Sequence, residues 1–166
     1  MAEEVSRVAQ RCEEAKQSLI LDLSHCELMS IPEAIFFILK NVELKEVNLS
    51  HNSIKKLPNK LSTKFSTITS LDLSHNKLTL LPDSLNQLVN CVSLNLGSNQ
   101  FTQLPDVLLT MPLMETLDFG HNLVTNLDTS KLSQGPALQT IILTGNPLDD
   151  DCKVILESIV RVKIVL

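Results

Sequence analysis

Apolar and polar residues alternate along this chain in short runs that return on a fixed schedule. Leu71 and Leu73 flank Asp72, and Asn76, Leu78 and Leu81 follow before Pro82. Alternation with a period of two predicts a short strand with one buried face. The same order recurs at Leu21, Leu23, Cys26, Leu28, Ile31 and Pro32, and at Val47, Leu49, Asn52, Ile54, Leu57 and Pro58. It returns around Leu94 and Asn99, Leu117 and Asn122, and Ile141 and Asn146. Successive Cys or Asn positions are separated by 26, 24, 23, 23 and 24 residues. A period this regular predicts a solenoid, in which no repeat buries its apolar face alone and neighbours stack to make one core.

The pattern is L-x-x-L-x-L-x-x-N/C-x-L, with its first position filled by Leu44, Ile68, Cys91, Met114 and Leu138 from the second copy onward. In six copies over nearly the whole chain it resembles the leucine-rich repeat family, and in size it is similar to the small intracellular stand-alone proteins of that family. The resemblance implies an α/β leucine-rich repeat solenoid. A curved parallel sheet forms its concave side, and short helical turns with irregular backbone form its convex side. The expected organisation is one domain over residues 1–166. It comprises an N-terminal capping helix (1–18), six repeats (19–148) and a C-terminal cap with a helix and final strand (149–166).

After each strand the chain must bend while its backbone is still buried. An unpaired buried amide or carbonyl costs roughly 1 to 3 kcal/mol, so the bend calls for a short polar side chain facing inward. Cys26, Asn52, Asn76, Asn99, Asn122 and Asn146 are expected to form this structural ladder, with Cys26 the weaker hydrogen-bond partner.

Toward the N-terminus, Val5, Val8, Cys12 and Ala15 share one face of a predicted helix, which would cover the exposed end of the core. Ala34 to Leu39 predicts a helical turn or two on the convex side. The fifth repeat has Asp128 in place of proline, and its polar segment Thr129 to Pro136 predicts a local loop. Asp149, Asp150 and Asp151 precede the segment Cys152–Ser158, and acidic residues there read as a helix cap rather than a cation site. Ile159, Val162 and Ile164 repeat the leucine spacing and predict a seventh strand over Val162–Leu166, an apolar edge able to pair with another chain.

Parallel pairing would line up the strand positions between the leucines as columns. One reads Asp22, Asn48, Asp72, Asn95, Asp118, Ile142 and then Lys163; its neighbour reads Ile20, Glu46, Ser70, Ser93, Thr116 and Thr140. Just before the ladder stand His25, His51, His75, Ser98, His121 and Gly145, so all four histidines of the protein share one column. Stacked imidazoles suggest a metal or a pH-dependent contact. The plainer reading, which we adopt, is a solvent-facing bend with no metal. The candidate partner-binding residues are therefore Glu46, Asn48, Ser70, Asp72, Ser93, Asn95, Thr116, Asp118, His51, His75 and His121.

Composition narrows the function. No phosphate-binding glycine loop and no single Ser-His-Asp constellation stands out from the repeating columns, so neither a catalytic site nor a cofactor is expected. A net charge of -5, with neither Trp nor Tyr, argues against nucleic acid. No apolar run reaches the roughly 18 residues of a membrane span, and no secretory signal precedes the repeats. Cys12, Cys26, Cys91 and Cys152 are scattered rather than clustered at the ends, which predicts reduced, buried thiols and a cytoplasmic or nuclear protein. The family resemblance implies a non-catalytic module that binds another protein through its concave face. The alternatives are a regulatory or inhibitory subunit of a phosphatase, GTPase-pathway or ubiquitin-ligase complex, and a protein, otherwise monomeric, that self-associates through its C-terminal edge strand.

Overall fold

The computed structural model describes residues 2–132 and 135–166, with side chains from residue 6 onward. Among these residues seven three-residue strands pair in chain order into one parallel sheet. They are β1 (Ile20–Asp22), β2 (Glu46–Asn48), β3 (Ser70–Asp72), β4 (Ser93–Asn95), β5 (Thr116–Asp118), β6 (Thr140–Ile142) and β7 (Lys163–Val165). The middle residues Leu21, Val47, Leu71, Leu94, Leu117 and Ile141 point inward, are almost fully buried, and pair one above the next. Fully burying such a side chain stabilises the fold by about 1.5 to 3 kcal/mol relative to leaving it exposed.

The outer side follows from repeat length. The two steps of 23 residues contain 3₁₀ turns, Asp83–Gln87 and Asp106–Thr110, whereas the steps of 24 to 26 contain α-helical turns. These are α2 (Ala34–Ile38), α3 (Lys60–Lys64) and α4 (Thr129–Leu132). A 3₁₀ turn rises about 2.0 Å per residue against about 1.5 Å for an α-helix, so it spans a similar distance with fewer residues. Pro32, Pro58, Pro82 and Pro105 open four of these segments, and their carbonyls accept from Ile35, Leu61, Leu85 and Leu108 N–H at 3.0 to 3.1 Å. Proline suits a helix start because its fixed φ is helical and its missing N–H would lack a partner there.

Two sequence expectations are corrected. The segment Thr129 to Pro136 is not wholly a loop: it begins with α4, whose Leu132 is fully buried. Residues 133 and 134 of that segment lie outside the described residues. The final strand also sits in a different register. Ile164, not Val162, pairs with Ile141, so Lys163 lies beside Thr140 and Val165 beside Ile142. Ladder bonds from Lys163 N to Gln139 O and from Leu143 N to Val165 O, both 2.7 Å, fix this alignment.

Both ends of the core are covered. Helix α1 (Ala2–Ser18) packs on β1 and buries Val8, Cys12 and Ala15. At the other end α5 (Asp150–Glu157) buries Cys152 and Leu156, and the carboxylate of Asp149 accepts from Cys152 N–H at 2.7 Å. Asp149 is thus the N-cap, with Asp150 and Asp151 in the first turn where the helix dipole favours them.

Candidate protein-binding face

Each strand must end in a bend, and the bend organises the concave surface. His25, His51, His75, Ser98 and His121 all hold left-handed backbone with φ of 53° to 55°, and Gly145 has φ of 76°. Histidine tolerates this region better than β-branched residues do. The turn puts the next residue, the Asn or Cys, on the inside. Asn99 Nδ2 donates to Leu73, Leu96 and Gly97 carbonyls at 3.0 to 3.3 Å, and its Oδ1 accepts from Leu78 N–H at 3.0 Å. Asn52, Asn76, Asn122 and Asn146 make the same set with small variations, each tying its own bend to the preceding repeat.

Cys26 supplies only one weak donor, its Sγ to Ser24 O at 3.5 Å, and Arg11 of α1 adds stronger ones. Its guanidinium donates to Ser24 O at 2.8 Å, to Asp22 O at 3.0 Å and to Cys26 Sγ at 3.4 Å. Sequence reasoning missed Arg11, although a Cys in the first ladder position signals that a donor must come from elsewhere.

Strand register brings Asp22, Asn48, Asp72, Asn95 and Asp118 into one column, and Ile20, Glu46, Ser70, Ser93, Thr116 and Thr140 into the next. The first column has a role inside the fold that its sequence pattern did not reveal. Each Oδ1 accepts from the backbone N–H two residues on, at Ser24, Ser50, Ser74, Gly97 and Gly120, at 2.8 to 2.9 Å. Asp and Asn share this acceptor, which is why they interchange along the column. At Asp22 burial raises the pKa. Hydrogen bonds from Ser24, and then the Arg11 guanidinium, outweigh it and hold the carboxyl below its usual range. The second column carries no such duty: Glu46, Ser70, Ser93 and Thr116 are exposed or half-buried.

The histidines gather as a rail beside these columns. His25 and His51 stack with ring centroids 4.3 Å apart, and His51 and His75 at 4.1 Å, each pair within 10° of parallel. Ser98 interrupts the stack, and the ring of His121 lies over Gly145, where no Cβ intervenes. Parallel stacked rings send their nitrogen lone pairs out in separate planes rather than toward one point. Among the described residues no group of three or more His, Cys, Asp or Glu side chains is placed to hold a metal ion.

Open grooves among the described residues include two outside the concave face. One of about 310 Å³ lies between the Asp106–Thr110 turn and α4, where Lys131 Nζ bonds both carboxylate oxygens of Asp106 at 2.8 and 2.9 Å. The other, about 420 Å³, is lined by Phe36, Phe65 and the loop around Asn41. Cys12, Cys26, Cys91 and Cys152 are free and buried. Burial pushes the Cys12 thiol up to about 11 and the Cys91 thiol up to about 12, far from the thiolate state that nucleophilic chemistry uses. No described helix is long and apolar enough to cross a membrane.

Comparison with known proteins agrees with this architecture. The leucine rich repeat family model matches residues 42–101 and 90–148. A mouse protein, leucine-rich repeat-containing protein 20, is 45% identical over 165 residues, covering 97% of this chain and 90% of its own. A leucine-rich repeat protein of Leptospira interrogans superimposes with a TM-score of 0.72 at 30% identity, over 84% of this chain and 35% of that one. An internalin from Listeria monocytogenes superimposes with a TM-score of 0.66 at 19% identity, over 88% of this chain and 40% of that one, a likeness of fold alone. The repeat read from the sequence, the stacked parallel strands with their asparagine-lined bends, and the matches over most of the length agree: this chain belongs to the leucine-rich repeat family.

Proposed function

We propose that this chain is a non-catalytic interaction module that binds a partner protein through its concave sheet face. Leucine-rich repeat domains are generally protein–protein interaction modules. The observation that carries the reading to this face is the column Glu46, Ser70, Ser93 and Thr116. Its side chains form a regular polar array that β2 to β5 hold in register, and they make no hydrogen bond or ion pair within the described structure. Order of this kind, already fixed before binding, lowers the entropic cost of association.

The test is capture from lysate with wild type and a Glu46→Arg, Ser93→Arg, Thr116→Arg variant, beside a Gln87→Arg control on the outer 3₁₀ turn. A partner kept by wild type and control but lost by the triple variant is the expected result. The same proteins captured by all three would refute the concave-face reading.

A second reading is self-association through the C-terminal edge. It is favoured by β7, which ends the sheet, and by the exposed apolar side chains of Val160 and Leu166, close to it along the chain. Sedimentation velocity across a hundredfold range of concentration decides it. A constant monomer mass removes this reading.

A further inference from the structure

The bonds that hold the Asp and Asn column decide which atom each side chain presents. With Oδ1 engaged by the backbone N–H two residues on, the remaining polar atom is Oδ2 at Asp22, Asp72 and Asp118, and Nδ2 at Asn48 and Asn95. Because Asp and Asn alternate through β1 to β5, the face presents anionic acceptor and amide donor by turns. Parallel strands lie about 4.8 Å apart, so the carboxylates of Asp72 and Asp118 stand two strands, roughly 9.6 Å, from each other with the Asn95 amide between them. Asp22 continues the series but shares its charge with Arg11, 3.8 Å away. Ile142 ends it on the other side, and Lys163 stands in the neighbouring column.

That spacing selects among backbone conformations of a partner. A polyproline helix repeats its faces every three residues at about 9.3 Å and leaves its carbonyls without internal partners. A β-strand repeats a face every two residues, at roughly 6.6 to 6.8 Å. An α-helix presents one face every three or four residues, about 5.4 Å apart, and again after seven, about 10.5 Å, and its carbonyls are already bonded. The polyproline form alone matches both the carboxylate spacing and the amide donor between.

We propose that the concave face takes an extended, polyproline-type segment of a partner protein bearing Arg or Lys at every third residue. Two successive cations meet Asp72 and Asp118, and an intervening peptide carbonyl accepts from Asn95 Nδ2. The net charge of -5 favours the same class of partner by steering a basic segment toward the protein. The inference rests on the proposed concave-face function and names the chemistry of its partner.

The experiment uses fluorescence anisotropy at about 0.1 M salt, where charge interactions beyond roughly 10 Å are screened. The probe is a labelled peptide of four Arg-Pro-Pro triplets. Control peptides carry the same four arginines at every second residue or at every seventh residue of a helical sequence. Titrations use wild type and an Asp72→Asn, Asp118→Asn variant, which keeps both Oδ1 acceptors and so keeps the bend. The expected result is at least about tenfold tighter binding of the triplet peptide than of either control, and about a tenfold loss in the Asn variant, a change equivalent to about 1.4 kcal/mol. Equal affinity for the three spacings, or for wild type and variant, overturns the proposal. So does absence of binding. A lysate partner lost only by the Glu46→Arg, Ser93→Arg, Thr116→Arg variant, together with no peptide binding, would overturn the peptide chemistry and leave the concave-face reading standing. Failure of both experiments overturns both.

Discussion

Replacing Asn99 by alanine tests the physical account of the bend most directly. Asn99 is 6% exposed and sits in the middle of the array. The Leu73 and Leu96 carbonyls that lose its amide still accept from Asn76 and Asn122 at 3.1 Å, and Gly97 O still accepts from His75 N–H at 2.9 Å. Leu78 N–H is different, because Asn99 Oδ1 is its bonded acceptor. An orphaned buried N–H costs about 1 to 3 kcal/mol and each lost net hydrogen bond about 0.5 to 1.5, so the variant should lose about 3 kcal/mol. The chain contains neither Trp nor Tyr, so urea unfolding is followed by far-ultraviolet circular dichroism. With a slope near 2 kcal/mol/M the midpoint should fall by about 1.5 M.

Asn99→Asp sharpens the same prediction. It keeps the acceptor for Leu78 N–H but turns a second, anionic oxygen toward the Leu73 and Leu96 carbonyls. Burial and those carbonyls raise the carboxyl pKa in the folded state above its unfolded value. Its stability is therefore greatest below the unfolded pKa and lost as pH rises through the folded one. At pH 7 the Asp variant should be less stable than the Ala variant, and the gap should narrow toward pH 4. A loss under about 0.5 kcal/mol in Asn99→Ala, or an Asp variant as stable as wild type at pH 7, would refute the reasoning.

Two further predictions concern the first repeat and the thiols. Arg11→Leu removes the donors to Asp22 O and Ser24 O and should cost about 1 to 2 kcal/mol in urea unfolding, and Cys26→Asn should recover part of that loss by restoring an amide inside the bend. The thiol pKa values of Cys12 and Cys91 are raised from an ordinary value of 9.0 to about 11 and about 12. A group that is neutral when protonated and has a raised folded pKa contributes stability below pH 9 that is lost as pH climbs through 11 and 12. The unfolding midpoint should therefore fall across that window. Native protein should also react slowly with a thiol reagent at pH 8, with four thiols appearing on unfolding; four rapid reactions in the native state would contradict the burial.

Part of the candidate face was legible and part was not, for physical reasons that particular residues show. Asp72 and Ser70 could be assigned to columns because a period of two separates faces, and a fixed repeat length aligns them with Asn95 and Ser93. The hydrogen bond from Ser74 N–H to Asp72 Oδ1 was not legible, since a solvent-facing carboxylate and one that also closes a turn have the same place in the pattern. Lys163 was misplaced by two residues because the leucine spacing alone admits more than one alignment of β7, and pairing with β6 decides among them.

The sequence by itself determined the solenoid, the stacking of Leu21 through Ile141 and the inward Asn or Cys at each bend. These follow from local periodicity and from the cost of burying unpaired backbone, both of which act within a repeat and its neighbour. Only the tertiary structure decided that Arg11, fifteen positions before Cys26, completes the first bend. The stacking of three histidines face to face, the alignment of β7 and the direction of every Asp and Asn in the concave column were decided there too. Each depends on how separate segments meet in space, where distances of a few ångströms choose the partner and where the spacing of residue types leaves several partners equally allowed.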